Sequence, residues 1–446
     1  MICSEIDWRC PYAAFAPLAG EAHAHLLSAG DVARGGWSVL VAFPTQIIAA
    51  ETNDGGAWLA AVQAAIDARA VDARAAPTHA PFHSGLVGFV GYEALKSIEP
   101  NLDFPASPYG LPDAVFGAYD AAAVFSREDQ RAFVVGRDEA ACDQLANALG
   151  AEPVAAPALP EFSAPASNFS RHDYEAAVAS VIEKIKCGDF YQANIAQTLQ
   201  AAGDDGFSPF DLYRAIACES DAEFGAILQY RHGAVLSNSP ERFFKVEPRK
   251  GGRRIVVEPI KGTRGRSADR AEDAALARAL VNDPKDRAEN IMIADLMRND
   301  LSKICADGSI EEEAICALMT LTKVRHLVSR ISGVLRADVS MSDVLRALFP
   351  SGSITGAPKI EAMGAIARVE KAGRGPYCGA IGFFDDAGGA DFSVAIRTLI
   401  TNEAATNVFA PVGGGVTLRS NPQAEYKETL IKAKSALDIL APRTRP

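Results

Sequence analysis

The sequence predicts an α+β fold: a large layered α/β sandwich with antiparallel-rich sheets flanked by helices. Three observations carry that expectation. Apolar β-type runs and helical spacings are interspersed without the regular strand–helix alternation of a doubly wound sheet. Several β-type runs are joined by short polar or glycine-rich turns, as antiparallel neighbours are. The chain has 446 residues, too many for one ordinary core, which suggests two lobes or one large elaborated domain.

Composition narrows the class. With 48% hydrophobic and 22% charged residues the chain reads as globular. No run of 18 apolar residues occurs, so no transmembrane helix is expected. Met1 to Trp8 lacks a basic and then apolar leader pattern, which points to the cytoplasm. The net charge of −12 excludes general nucleic-acid or anionic-membrane binding. An anionic small substrate would need local cations or a metal. Eight cysteines form no CxxC pair and read as reduced thiols, not a disulfide or zinc framework.

In chain order, residues 1–150 read as a β-rich lobe. Trp37 to Phe43 is a strand closed by Pro44, and Gly85 to Glu93 a glycine-punctuated strand approached closely by other backbone. Val115 to Phe125 is expected to pair with Ala132 to Val135 across Ser126 to Asp129. The Ala/Pro-rich stretch 151–168 reads as a linker, and 169–446 as the catalytic region. Ser170 and Asp173 form a capping pattern before Tyr174, Ala177, Val178, Val181, Ile182 and Ile185 at helical spacing. Gly188 stops that helix, and Asp189 to Leu199 reads as a strand. Helices are expected over 268–280, 285–303 and 342–349. Gly379 to Asp386 and Asp391 to Thr401 read as paired strands, and Asn421 to Leu437 as a final helix.

Candidate chemistry sits in eight places. Ile255-Val256-Val257 leads into Glu258-Pro259-Ile260-Lys261-Gly262-Thr263, a tight turn that fixes one lysine. Glu241 follows an apolar strand and is either a general acid or a turn residue. Glu289 marks the polar-to-apolar transition of one helix. Glu425, Glu428 and Lys432 share a face of the last helix, as a solvated stripe or as metal ligands beside a cation; Tyr426, Leu430, Ala433 and Leu437 form its other, buried face. Glutamates from two helices, with no His or Cys nearby, suit a hard cation such as Mg2+. Gly352-Ser353-Ile354-Thr355-Gly356 precedes a helix and offers N–H groups to an anion, without the order of a P-loop. Gly413-Gly414-Gly415 allows close ligand approach or is a simple bend. Arg397, read as part of an apolar strand opposite Phe392, Val394 and Ile396, needs a partner, with a protein carboxylate favoured. His326 reads as a core histidine.

Together these segments resemble the chorismate-utilising enzymes, a family that includes anthranilate, aminodeoxychorismate, isochorismate and salicylate synthases. The resemblance is strongest over 170–440 and extends to Gly85–Glu93. It implies a fold of the anthranilate synthase component I type. Lys261 in the Pro-Ile-Lys-Gly-Thr turn matches the aminodeoxychorismate branch, as does Ser353; anthranilate synthases usually carry Ala and Thr there. Gln192 replaces the water-activating lysine of isochorismate and salicylate synthases. The resemblance implies Mg2+ held by Glu289 and Glu428, with Glu425 close by, and the ring carboxylate of chorismate on the metal. It implies Arg397 and Tyr377 at the enolpyruvyl carboxylate, helped by Gly413 to Gly415. Lys432 would add positive charge, and Thr263 and His326 would support the substrate. Lys261 would be the nucleophile and Glu241 the general acid.

The implied activity is a transferase-type amination of chorismate to 4-amino-4-deoxychorismate, for p-aminobenzoate and folate. No Gly-x-Cys-x-Gly elbow is present, so ammonia would come from solution or from a separate glutamine amidotransferase subunit in a heterodimer. Three departures stand out. Glu258 replaces a basic or neutral residue, Ser351 replaces a glycine, and the Leu-Leu-x-Ser motif of a tryptophan site is shifted to Leu26-Leu27-Ser28. That leaves a tryptophan-type site in the first lobe open. The alternative activity is anthranilate synthase component I. A non-catalytic regulatory subunit would lack the ligand residues, and Lys261, Glu289, Arg397 and Glu428 are all present.

Overall fold

The computed structural model describes residues 1–30, 33–50, 55–72, 79–152, 159–203, 206–219 and 222–441. Among these residues two large sheets carry the fold, and the strand pairings in both are antiparallel. The first sheet runs through Ile2–Ile6, Arg131–Gly136, Ala121–Ser126, Trp37–Val41, His25–Ala29, Phe224–Tyr230, Gly233–Ser239, Thr398–Asn402, Asn407–Thr417, Gln192–Ala202 and Gly356–Ala357. Ala166–Ser167 pairs with the Gln192–Ala202 strand. The second runs through Ile260–Gly265, Val324–Val334, Gly252–Val257, Arg242–Arg249, Ala390–Val394, Ala380–Asp385, Gly85–Val90, Ala114–Tyr119 and Gln46–Ala49, with Glu311–Thr320 beside Val324–Val334.

The layers follow from side-chain alternation. Leu27, Val39 and Val41 of the first sheet face inward and pack with Val87, Phe89 and Ile381 of the second. Their neighbours Leu26 and Leu40 face outward, toward Leu145, Leu149, Leu212 and Ile216 on helices Glu139–Leu149 and Pro209–Glu219. Helices Ala57–Arg69, Pro284–Ser302 and Met341–Leu348 cover the second sheet. A strand buried on both faces reads as a continuous apolar run, which is why these segments stand out in the sequence. The order helix, sheet, sheet, helix is the layered sandwich the sequence predicts.

Strands from both sides of the 151–168 stretch interleave. His25–Ala29 pairs with Phe224–Tyr230, and Gly85–Val90 with Ala380–Asp385. The first 150 residues therefore share both sheets with the rest. Of the stretch itself, residues 153–158 lie outside the described ones, and Phe162 is buried. A Cβ at Gly88 would lie 1.8 Å from the Val115 carbonyl oxygen, the close backbone approach expected of that strand.

Two apolar runs divide where one strand is expected. Val115 to Phe125 splits at Asp120: Ala114–Tyr119 joins the second sheet, and Ala121–Ser126 joins the first in a hairpin with Arg131–Gly136. Asp391 to Thr401 splits likewise, with Ala390–Val394 in the second sheet and Thr398–Asn402 in the first. Period-2 alternation reports burial, not sheet membership, so a crossover inside an apolar run leaves no signal. The strand expected from Asp189 starts at Gln192 and continues to Ala202. The last helix is two, Pro422–Lys432 and Lys434–Leu440. The Ser170 side chain accepts from Asp173 N and caps helix Arg171–Cys187, which ends at Gly188 with φ +87; such a cap contributes about 1 kcal/mol. Among the described residues no helix is long and apolar enough to cross a membrane.

Candidate active site

The Lys261 turn lies between the Gly252–Val257 and Ile260–Gly265 strands. Its ladder with Val324–Val334 is irregular between Ile260 and Thr263, and Gly262 has φ +86, a conformation that favours glycine. Lys261 Nζ donates to the Ser353 carbonyl at 3.0 Å. Burial pushes the Lys261 pKa down; Glu241 opposes the shift, Lys432 adds to it, and Glu289 and Glu428 also oppose it. One lysine thus feels residues from two helices and one turn between strands, which places these candidates around one basin.

Glu241 is buried, and its Oε1 has no hydrogen-bond partner among the described residues. Burial raises its pKa to about 7, against the Ser353 hydroxyl and the Lys261 charge. A carboxyl poised there exchanges a proton near neutrality. Glu241 is therefore more than a turn residue in its surroundings. Ser353 is buried too, its hydroxyl 3.0 Å from that of Ser351.

His326 is buried with Nδ1 2.8 Å from Thr263 Oγ1. Its Nε2 has no partner among the described residues. Burial, with the Arg397 charge adding to it, lowers its pKa to about 4. The ring is neutral, and one nitrogen remains for a further partner. The reading of a satisfied core histidine does not survive this geometry.

Arg397 differs from expectation. It lies not inside a strand but at the crossing between the two sheets, with φ +51. Among the described residues it makes no ion pair with a carboxylate, contrary to the protein partner favoured from sequence; burial lowers its pKa. An unpaired guanidinium is a ready binder of a carboxylate. Tyr377 is buried in the core beside this crossing, where Cys378 N donates to the Ala395 carbonyl at 2.8 Å. Burial holds its hydroxyl protonated well above the ordinary range.

The acidic side faces the Asn407–Thr417 strand. Lys432 Nζ is 2.8 Å from Glu428 Oε1 and donates to the Gly413 carbonyl at 3.2 Å. Burial opposes ionisation of Glu428, but Lys432, with Lys285 and Lys261 behind it, holds its pKa below the ordinary value. Glu425 is buried rather than part of a solvated stripe. Its Oε1 accepts from Ser420 Oγ at 2.6 Å, and its Oε2 has no partner among the described residues. Burial and then the Glu428 charge raise its pKa. Thr429 is the buried residue one turn on, while Leu430 and Tyr426 are half-buried.

The three glycines stand in a regular ladder against Gln192–Ala202, not in a bend. A Cβ at Gly413 would lie 2.7 Å from Asn194 Oδ1, and one at Gly415 would lie 3.0 Å from Gln192 Nε2. At Gly414 it would lie 3.3 Å from Glu425 Oε2 and 3.8 Å from both Glu428 Oε1 and Lys432 Nζ. Bare backbone therefore passes beneath the charged groups.

The acidic oxygens suit a hard divalent cation. Glu425 Oε2 is buried and unpartnered, and Glu425 and Glu428 repel in the absence of a shared counter-charge. As placed, no group of three or more carboxylate, His or Cys side chains among the described residues stands close enough to hold an ion. Glu289, half-buried, is 3.8 Å from Lys285 Nζ.

Sequence reasoning passed over several groups. Lys285 acts on Glu289, Glu425 and Glu428 at once. Gln192, which the sequence marks only as standing in for a lysine, is fully buried, and neither its Nε2 nor its Oε1 has a partner among the described residues. Buried Arg374 bonds Glu370 at 2.6 Å, the Asn194 carbonyl at 2.7 Å and the Ile354 carbonyl at 3.2 Å. Glu93 accepts from Arg374 N and Gly375 N, each at 2.7 Å. These bonds tie the glycine-rich turn to both sheets; the i, i+4 spacing of Glu370 and Arg374 was the available signal. A cavity of about 400 Å³ lined by Trp37, His83, Lys245 and Asp385 lies apart from this basin.

Comparison with known proteins gives the family. The family described as chorismate binding enzyme matches residues 26–438. Aminodeoxychorismate synthase component 1 of Klebsiella aerogenes is 36% identical over 367 residues, 81% of this chain and 78% of the relative. Anthranilate synthase component 1 of Synechocystis is 32% identical over 395 residues, 82% of this chain and 77% of the relative. The crystal structure of anthranilate synthase component I from Streptococcus pneumoniae superposes with a TM-score of 0.76 at 27% identity, covering 90% of this chain and 92% of that one.

Proposed function

The chain belongs to the chorismate binding enzymes, and on that footing we propose that it is an aminodeoxychorismate synthase component I. The carrying observation is Lys261 on its tight turn, with Nζ on the Ser353 carbonyl at 3.0 Å, facing a buried Glu241 whose Oε1 has no partner among the described residues. A neutral lysine attacks, and a protonated carboxyl gives up its proton to a leaving hydroxyl.

In this reading Arg397 and His326 Nε2 hold the enolpyruvyl side of chorismate. Glu289 and Glu428, with Glu425, would hold Mg2+, which when bound would neutralise the ring carboxylate. Lys261 Nζ forms a bond to C2; both ring double bonds shift, from C1=C2 and C5=C6 to C1=C6 and C4=C5, and the C4–O bond breaks. Glu241 delivers its proton, so the oxygen leaves as water, and its carboxylate takes up the proton that the lysine nitrogen sheds. Ammonia then bonds to C4, both double bonds return, the C2–N bond to Lys261 breaks with the Glu241 proton going to the lysine nitrogen, and the proton shed by the new amine restores Glu241. The product is 4-amino-4-deoxychorismate, and the lysine is regenerated. Ammonia arrives from a separate glutamine amidotransferase subunit, as the words component 1 in the relatives' names suggest.

A second reading is anthranilate synthase component I, supported by the relatives of that name at similar coverage. Product identity separates the two. With chorismate, Mg2+ and ammonium, the proposal expects 4-amino-4-deoxychorismate by liquid chromatography and no anthranilate fluorescence. Anthranilate as the main product would sink it in favour of the second reading.

A further inference from the structure

Glu241 and Lys261 both sit where a β-ladder loses its register. Lys261 lies inside the irregular stretch between Ile260 and Thr263. Glu241 immediately precedes an irregularity between Arg242 and Phe244, against the Ala390–Val394 strand. A bulge re-aims side chains but gives up ladder bonds that would otherwise fix them. Another interaction must set the distance between the two segments.

One ion network spans them. Arg242, next to Glu241, pairs with Glu258, three residues before Lys261. Behind Arg242 stands Asp391, with Oδ1 3.1 Å from Nε and Oδ2 3.3 Å from Nη2. Behind Glu258 stands Arg330, whose Nε donates to Oε1 at 2.7 Å and whose Nη2 is 2.5 Å from the same oxygen. The Arg330 strand also carries His326, and its Ser329 N donates to the Pro259 carbonyl at 3.1 Å. Two guanidinium groups alternate with two carboxylates, so the network is neutral. The Arg242 and Glu258 side chains are each 12% exposed and Asp391 only 1%. Buried charges of this kind are strongly destabilised by losing one partner. The Lys261 ammonium bonds elsewhere, to the Ser353 carbonyl, so the network acts through backbone position.

We infer that the Arg242–Glu258 pair is a positioning device that sets the separation of Glu241 and Lys261. The inference rests on the reading of those two residues as the reacting pair. Glu258 is here the complement of Arg242.

Steady-state kinetics with chorismate, Mg2+ and ammonium test it on the wild type, Glu258→Gln, Arg242→Gln, the double variant and Glu258→Asp. Each single glutamine variant should lower kcat on the order of tenfold or more through misplacement. KM for chorismate should stay near the wild-type value. The double variant should lose no more than the worse single one, since the pair acts as a unit. Glu258→Asp, which keeps the charge but shortens the reach, should fall between. A purely structural brace would lower the melting temperature but leave kcat per folded molecule unchanged. Such a result, or additive losses in the double variant, overturns the inference. Where a glutamine variant fails to fold, Glu258→Asp decides, and wild-type kcat overturns. Wild-type protein that forms no 4-amino-4-deoxychorismate sinks the functional reading itself, before any variant is compared.

Discussion

The two sides of the basin are built differently. The side carrying Lys261, Glu241 and His326 belongs to the second sheet, at breaks in its ladders, and burial moves all three pKa values. The side carrying Gly413 to Gly415, Glu428 and Lys432 belongs to the first sheet and the helix after it. It rests on an eleven-residue strand in unbroken register, and Glu428 and Lys432 are nearly half exposed and paired with each other. Burial acts on both sides, but on the second the Glu428–Lys432 pair offsets it for Glu428. There, regular backbone and exposed charge suit the holding of an ion or a carboxylate. On the proposed function, the irregular side carries the reacting pair and the regular ladder lies under the groups proposed to hold the metal.

Substitutions on the reacting side should therefore cost kcat, and those on the holding side KM. The largest effect is expected from Lys261→Ala: a kcat loss on the order of 10³-fold or more, as for removal of a nucleophile, with Mg2+ affinity by calorimetry unchanged. A matching loss of Mg2+ affinity would break the contrast.

Glu241→Gln comes next, with a loss of roughly 10²- to 10⁴-fold in kcat and a basic limb that no longer appears near pH 7. It also carries a stability signature. The folded pKa of about 7 exceeds the ordinary 4.5, so the folded state holds the extra proton between those values. The stability contributed by this group is full below pH 4.5 and is lost as pH rises through 7. Thermal melts should show the Gln variant gaining on the wild type over that window.

Arg397→Ala should raise KM for chorismate roughly ten- to a hundredfold, the worth of a charged hydrogen bond, with a smaller change in kcat. Gly414→Ala should have the smallest effect. Its methyl would meet Glu425 Oε2 at 3.3 Å, so Mg2+ affinity should fall severalfold while the melting temperature holds. A kcat loss in Gly414→Ala larger than its affinity loss would blur the two sides.

Much of this was legible in the sequence because it is local. The Pro-Ile-Lys-Gly-Thr turn, the Gly413–Gly415 run and the Glu425–Glu428–Lys432 face depend on neighbours within one turn or one strand. The layered fold was legible because doubly buried strands are continuous apolar runs. What was not legible depends on long-range placement. The setting of Arg397 follows from a crossover between sheets that alternation cannot register. Lys285 looks like any helix-surface lysine until Glu425 and Glu428, more than a hundred residues on, are folded against it. Arg374 matters through Glu93 and Asn194, both far upstream. The change of sheet at Asp120 likewise has no composition signal.

The central claim is covalent chemistry at Lys261, and intact-protein mass spectrometry tests it most directly. Wild-type protein incubated with chorismate and Mg2+, without ammonia, should gain the mass of chorismate less one water. Peptide mapping should place that mass on Lys261, and added ammonium should discharge it. No adduct on the wild type, or an adduct that persists in Lys261→Ala, would contradict the account.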